Sequence, residues 1–167
     1  MSQKVAADYK QSDGAPHQYD IQIAEDGRWF HEGGEIKRLG LVKLFASVLS
    51  YEAGQYWLRT PAEAGIITVA DAPFMITSCK SSGQGKDQLI EFEDNLERRW
   101  QLGATHKLEV RVGPSVDEPR PYLHLDKGLT ARISRPVFYE LAELAEFDEA
   151  GHAGIWSDET WFSLETA

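Results

Sequence analysis

The sequence predicts an α+β protein of two tandem duplicated units, each a curved, mostly antiparallel sheet holding one helix. Three observations carry this. Short runs alternate apolar and polar residues with the period of a half-buried strand, as in Tyr19-Asp-Ile-Gln-Ile-Ala24. Two separate stretches change to the helical period. The chain around the first, running into SYEAGQYW, is echoed around the second by FDEAGHAGIW.

Taken in order, residues 1–18 read as a polar, flexible tail, and a first unit spans 19–78. After the strand at Tyr19–Ala24, Asp26-Gly27 makes a turn and Arg28–His31 returns as a second strand. Gly33-Gly34 turns again into Glu35–Arg38. Leu41, Leu44, Phe45, Val48 and Leu49 then recur at helical spacing, one apolar stripe that Gly54 ends. Gln55–Arg59 is extended. Thr60-Pro-Ala-Glu63 has the form of a capping box with proline at the first helical position, which predicts a single helical turn. Ile66–Val69 and Pro73–Ile76 close the unit as strands hinged at Asp71-Ala72.

Residues 79–87, CKSSGQGKD, read as a linker by composition, and a second unit spans 88–167. Leu89–Phe92, Arg99–Leu102 and Lys107–Val112 alternate as a meander, followed by a proline-bearing loop over 113–121. The echo begins there. Tyr122-Leu-His124 matches Trp29-Phe-His31, Gly128 matches Gly34, and Arg132 matches Arg38. A second helix carries Val137, Leu141, Leu144 and Ala145 on its apolar stripe, with Pro136 near its start. Glu149-Ala-Gly151 then repeats Glu52-Ala-Gly54, and Trp156 falls near the place of Trp57. Agreement in order across hairpin, arginine, helix, glycine and tryptophan points to one unit written twice.

The chain has 167 residues, 42% apolar and 26% charged, a globular composition. Its formal charge of −10 argues against nucleic acid or an anionic membrane as main partner, because both require a basic footprint. Acidic residues accumulate after Arg135, beyond which no Lys or Arg occurs, while a group of bases lies just upstream. A single cysteine, Cys79, excludes an internal disulfide and fits a reducing compartment. The start lacks the apolar run of a signal peptide and no stretch reaches the length of a membrane span, so the expected location is cytoplasmic.

No motif of catalytic specificity occurs. Gly83-Gln-Gly-Lys-Asp87 lacks both the leading glycine and the Ser or Thr that a phosphate loop needs. Cys79 has no evident base and reads as an inert packed thiol. His31 and His124 match across the repeat, but neither has a second ligand at metal-binding spacing. Asp71 reads as a turn residue. The tryptophans read chiefly as core, with some able to line a pocket. The arginines carry the lead. Arg38 and Arg132 each precede a helix, whose N-terminus presents free N–H groups and partial positive charge. The alternative is that both pair with carboxylates and hold the fold together.

RWFHEGGEIKRLGLVKLFASVLSYEAGQYWLRTPAEAGIITVADAPF in the first unit resembles a bacterial family of uncharacterised proteins, the domain of unknown function numbered 1285. PYLHLDKGLTARISRPVFYEL and GIWSDETWF resemble that family's C-terminal signature. The resemblance implies duplicated α+β domains, the second superficially like a pleckstrin-homology fold. It also implies a signalling role and a ligand site at the interface of the two units, for a nucleotide-like molecule. Ala64 stands where the family has a basic residue after its TP-x-E segment.

The expected function is therefore a non-enzymatic cytoplasmic sensor or adaptor, with no cofactor and no metal, binding a small anionic ligand. The site residues expected to form it are Arg38, Lys43, Arg132, Arg135, Tyr139 and Trp156. Two alternatives stand beside it. One is an interaction module whose acidic C-terminal face docks a protein partner or a second copy. The other is a small hydrolase using Asp71 with a histidine.

Overall fold

A computed structural model describes residues 16–115 and 117–166. Most of the expected N-terminal tail thus lies outside the described residues, and the first strand starts at Gln18. The chain divides into two compact units, one of residues 1–73 with 127–129, the other of 74–126 and 130–167. Among the described residues each carries one helix on a mostly antiparallel six-stranded sheet, so the α+β class holds.

Unit 1 contains β1 (Gln18–Ile23), β2 (Trp29–His31), β3 (Gly34–Glu35), α1 (Leu39–Ser47), β4 (Leu49–Glu52), β5 (Gln55–Arg59) and β6 (Ala64–Val69). Its sheet order is β3-β2-β1-β6-β5-β4, with β1 and β6 the parallel pair. Alternation along β1 buries Ile21 and Ile23 and leaves Gln22 outside, as its pattern requires. Trp29 is 1% exposed, and Phe45 of α1 stacks on it with ring centroids 6.2 Å apart.

That contact sets the inward face of α1 and corrects the expected stripe. Val42 and Ala46 are buried with Phe45 partly so, while Leu41 and Leu44 are 36% and 62% exposed. LGLVKLFAS offers apolar residues on nearly every face, so periodicity alone could not choose among them. The helix ends at Ser47, before a strand that the sequence reading missed. Gly54 does not end it. With Ala53 it forms the β4–β5 hairpin turn, both at positive φ (52° and 78°), the mirror-type turn that suits strand twist. No helical turn follows Thr60. Its hydroxyl accepts the Glu63 N–H at 3.1 Å, as a capping box would, but the Thr60 N–H donates to the Glu63 carbonyl and closes the loop between β5 and β6.

Unit 2 contains β7 (Phe74–Ser82), β8 (Leu89–Asp94), β9 (Arg99–Gln101), β10 (Leu108–Arg111), β11 (Arg120–His124), β12 (Thr130–Ile133), α2 (Arg135–Glu143), β13 (Glu146–Phe147), β14 (Ala153–Ser157) and β15 (Thr160–Ser163). Its main sheet runs β10-β11-β12-β7-β8-β9, with β7 and β12 parallel, and β13-β14-β15 form a small separate sheet. The expected linker is not one. Residues 79–82 continue β7 in register with β8, and a 3₁₀ turn at Gly85–Asp87 completes the hairpin. The outer half of β7 lies mostly in solvent, so its polar composition resembles a loop.

The echo has a structural counterpart. In both units a two-strand hairpin leads to a nine-residue helix and then to a second hairpin. Glu149-Ala-Gly151 occupies the β13–β14 turn as Glu52-Ala-Gly54 occupies β4–β5, with Gly151 at φ 85°. The units differ in two respects: the strand before the helix is β3 at a sheet edge in unit 1 but β12 in the sheet centre in unit 2, and the hairpin after the helix joins the main sheet in unit 1 but a separate small sheet in unit 2.

Candidate functional site

Pairing across β10, β11 and β12 decides which side chains share a face of the unit 2 sheet. Arg111 stands opposite Arg120, Glu109 opposite Tyr122, and Tyr122 opposite Arg132. Directly opposed residues project to the same side, so these arginines form a row over one face. The intervening Val110, Leu123, Ala131 and Ile133 are buried on the other. Arg111 is occupied within the row: it donates to Glu109 at 3.2 Å, and its guanidinium lies 4.4 Å from the Tyr122 ring centre.

Where this face meets the start of α2, unit 2 holds a cavity of about 520 Å³. Arg120 and Arg132 enter it from β11 and β12, and Arg135 from the first residue of α2. Phe138 and Tyr139 supply aromatic walls from the next turn. Asp117 and Glu118 come from the preceding loop, and Glu118 Oε1 lies 3.7 Å from the Arg135 guanidinium. Three guanidiniums against two carboxylates leave this lining formally positive on a chain of net charge −10. The α2 N-terminus adds the same sign, because Ser134 makes no side-chain cap and the first turn has no acid.

Three of the six expected site residues, Arg132, Arg135 and Tyr139, therefore line one pocket of unit 2. The others stand elsewhere. Trp156 is on β14, packed edge-on against Trp161 at 5.3 Å with the Lys86 ammonium 5.5 Å from its ring centre. Arg38 is the N-cap residue of α1 and Lys43 sits on the exposed side of that helix, both in unit 1. Arg38 and Arg132 are not structural equivalents, since Arg132 lies inside a strand ahead of the N-cap Ser134. Sequence reasoning missed Arg120, Glu118 and Phe138. An available signal was the period of two along this strand, which sets Arg120 on the face of Tyr122.

The remaining candidates do not line this pocket. The Cys79 thiol donates to Glu140 at 3.1 Å, and burial together with that carboxylate pushes it up to about 12. At neutral pH it is a thiol, not a nucleophile. His124 Nε2 lies 2.7 Å from Glu109 Oε2, and Glu109 is held below the usual carboxylate range by Arg111 and then by His124. His31, His106 and His152 approach Glu32, Asp126 and Glu165 respectively. Among the described residues no group of His, Cys, Asp and Glu is placed to hold a metal ion, and no helix is long and apolar enough to cross a membrane.

Comparison with known proteins adds family and fold. Residues 14–72 match the description "Domain of unknown function (DUF1285), N-terminal domain", and residues 73–164 match "Protein of unknown function (DUF1285), C-terminal domain". A crystal structure of a DUF1285 family protein from Silicibacter pomeroyi DSS-3 is similar with a TM-score of 0.83 and 36% identity, over 91% of this chain and 84% of that one. A second, from Shewanella baltica OS155, shares the fold at a TM-score of 0.59 and 23% identity, over 75% of this chain and 92% of that one. No curated protein matches the chain. The boundary between the two matches falls within one residue of the division of the chain after Pro73.

Proposed function

The chain belongs to the DUF1285 family of proteins of unknown function, and from that premise we propose that it is a non-enzymatic binding protein whose second unit takes up a small anionic, nucleotide-like ligand. One observation carries this reading: Arg120, Arg132 and Arg135 converge on a cavity of about 520 Å³ beside Phe138 and Tyr139. Guanidiniums match the planar acceptor pairs of phosphate and carboxylate, and an aromatic wall suits a flat ring attached to them. The cavity has the size of ordinary small-molecule sites. The charge distribution favours a small ligand over a polyanion, because an overall charge of −10 repels nucleic acid while a local positive lining does not repel a single anion.

The absence of catalytic motifs in the sequence and the high proton affinity of Cys79 favour binding over turnover. A cytoplasmic sensor or adaptor is the role that fits such a site. Protein purified without added ligand and analysed by native mass spectrometry tests this. A mass excess that disappears on denaturation, released as a phosphate- or carboxylate-bearing aromatic compound, is the expected result.

A further inference from the structure

Arg135 enters the pocket already facing a carboxylate. Its guanidinium lies 3.7 Å from Glu118 Oε1, and both groups line the same cavity as Arg120 and Arg132. We propose that Glu118 is an intramolecular stand-in for the ligand's anionic group, and that the ligand which displaces it is a phosphate monoester rather than a monocarboxylate. This rests on the anion-binding reading of the pocket.

The chemistry follows from what the exchange gains. A ligand carboxylate replacing Glu118 on Arg135 would swap one carboxylate for another, with little net electrostatic gain. A phosphate monoester carries about −1.5 to −2 charges at neutral pH and has three acceptor oxygens. It can therefore engage Arg135 and still offer oxygens to Arg120 or Arg132, which a carboxylate's two oxygens cannot do as well. The Glu118–Arg135 pair suits a displaceable role because its side chains are 55% and 65% exposed. Exposed pairs are weak, within about a fivefold effect on an equilibrium. Glu118 thus lowers the affinity of the pocket without blocking it, and leaves Arg135 partnered when no ligand is bound.

Phenyl phosphate and benzoate are suitable probes, since each joins a flat ring to an anion and they differ chiefly in that anion. Their binding is measured by calorimetry at low salt with the wild type, Glu118→Gln, Arg135→Ala and the double variant. Phenyl phosphate is expected to bind the wild type about tenfold tighter than benzoate. Glu118→Gln is expected to tighten phenyl phosphate about twofold to fivefold, and this gain should vanish in the Arg135→Ala background. If the gain persists without Arg135, Glu118 acts only as a repelling charge and the stand-in role is wrong. Equal affinity for the two probes overturns the phosphate assignment. If neither probe binds the wild type, the anion-binding reading itself fails together with this inference.

Discussion

Arg111 and Arg120 are direct cross-strand partners in the antiparallel β10–β11 ladder, two guanidiniums at one register position. Like charges placed so are destabilising. Arg111 donates to Glu109 and lies over the Tyr122 ring, and Arg120 lines the pocket. Removing one guanidinium of the pair relieves that repulsion. Arg120→Gln is therefore expected to leave unfolding stability unchanged or raise it by about 0.5 kcal/mol, by the scale of cross-strand pairs. The same variant should bind an anionic ligand more weakly. Urea unfolding and ligand titration on one preparation check both halves, and a stability loss above about 2 kcal/mol would make Arg120 structural.

Ser157 anchors the small sheet of unit 2. It is fully buried, its hydroxyl donates to the Leu102 carbonyl at 2.6 Å, and it accepts the Ile90 N–H at 3.0 Å. Ser157→Ala leaves both backbone groups without that partner in the interior. The expected cost is about 1–3 kcal/mol of unfolding free energy, the penalty for buried unsatisfied polar groups. Denaturant melts of the variant give the value directly, and a change below about 0.5 kcal/mol would show that the site relaxes or admits water.

Cys79 should be inert at neutral pH. Its thiol is pushed up to about 12 by burial and by Glu140, so the reactive thiolate is scarce at pH 7. Modification by a thiol reagent is expected to be far slower in the folded protein than in denaturant at the same pH. It should accelerate as the solution is made strongly alkaline. Glu140→Gln removes one of the two causes and should raise the rate at fixed pH. Rapid labelling of the native protein at pH 7 would contradict this.

The sequence made the two units and most strands legible because their period-2 patterns are short but clean, as in β1 and β8. It misplaced what depends on partners. The polar outer half of β7 reads as a linker because a solvent-facing strand has no compositional mark once its core contacts end. The α1 stripe shifted because Leu39, Leu41 and Leu44 are apolar yet exposed. Around the pocket, Arg132, Arg135 and Tyr139 were grouped in advance because they cluster within one strand–helix junction. Arg120 and Glu118 were not, since their place depends on strand register and loop path. Trp156 stands apart from this pocket, against Trp161, and its correspondence with Trp57 in the repeat carries no information about what its ring faces.

Arg132 enters the pocket from the middle of the sheet, on the strand between β11 and β7. Calorimetric titration of the wild type and Arg132→Ala with a nucleoside monophosphate is the decisive measurement, with unfolding stability recorded on the same samples. Saturable binding to the wild type is expected, weakened by about 1.5–3 kcal/mol in the variant, the scale of a hydrogen bond to a charged group. Stability should change by less than about 1 kcal/mol. A wild type that binds no nucleotide or phosphate ester, with a variant that loses stability, would contradict it and make Arg132 a structural tie within unit 2.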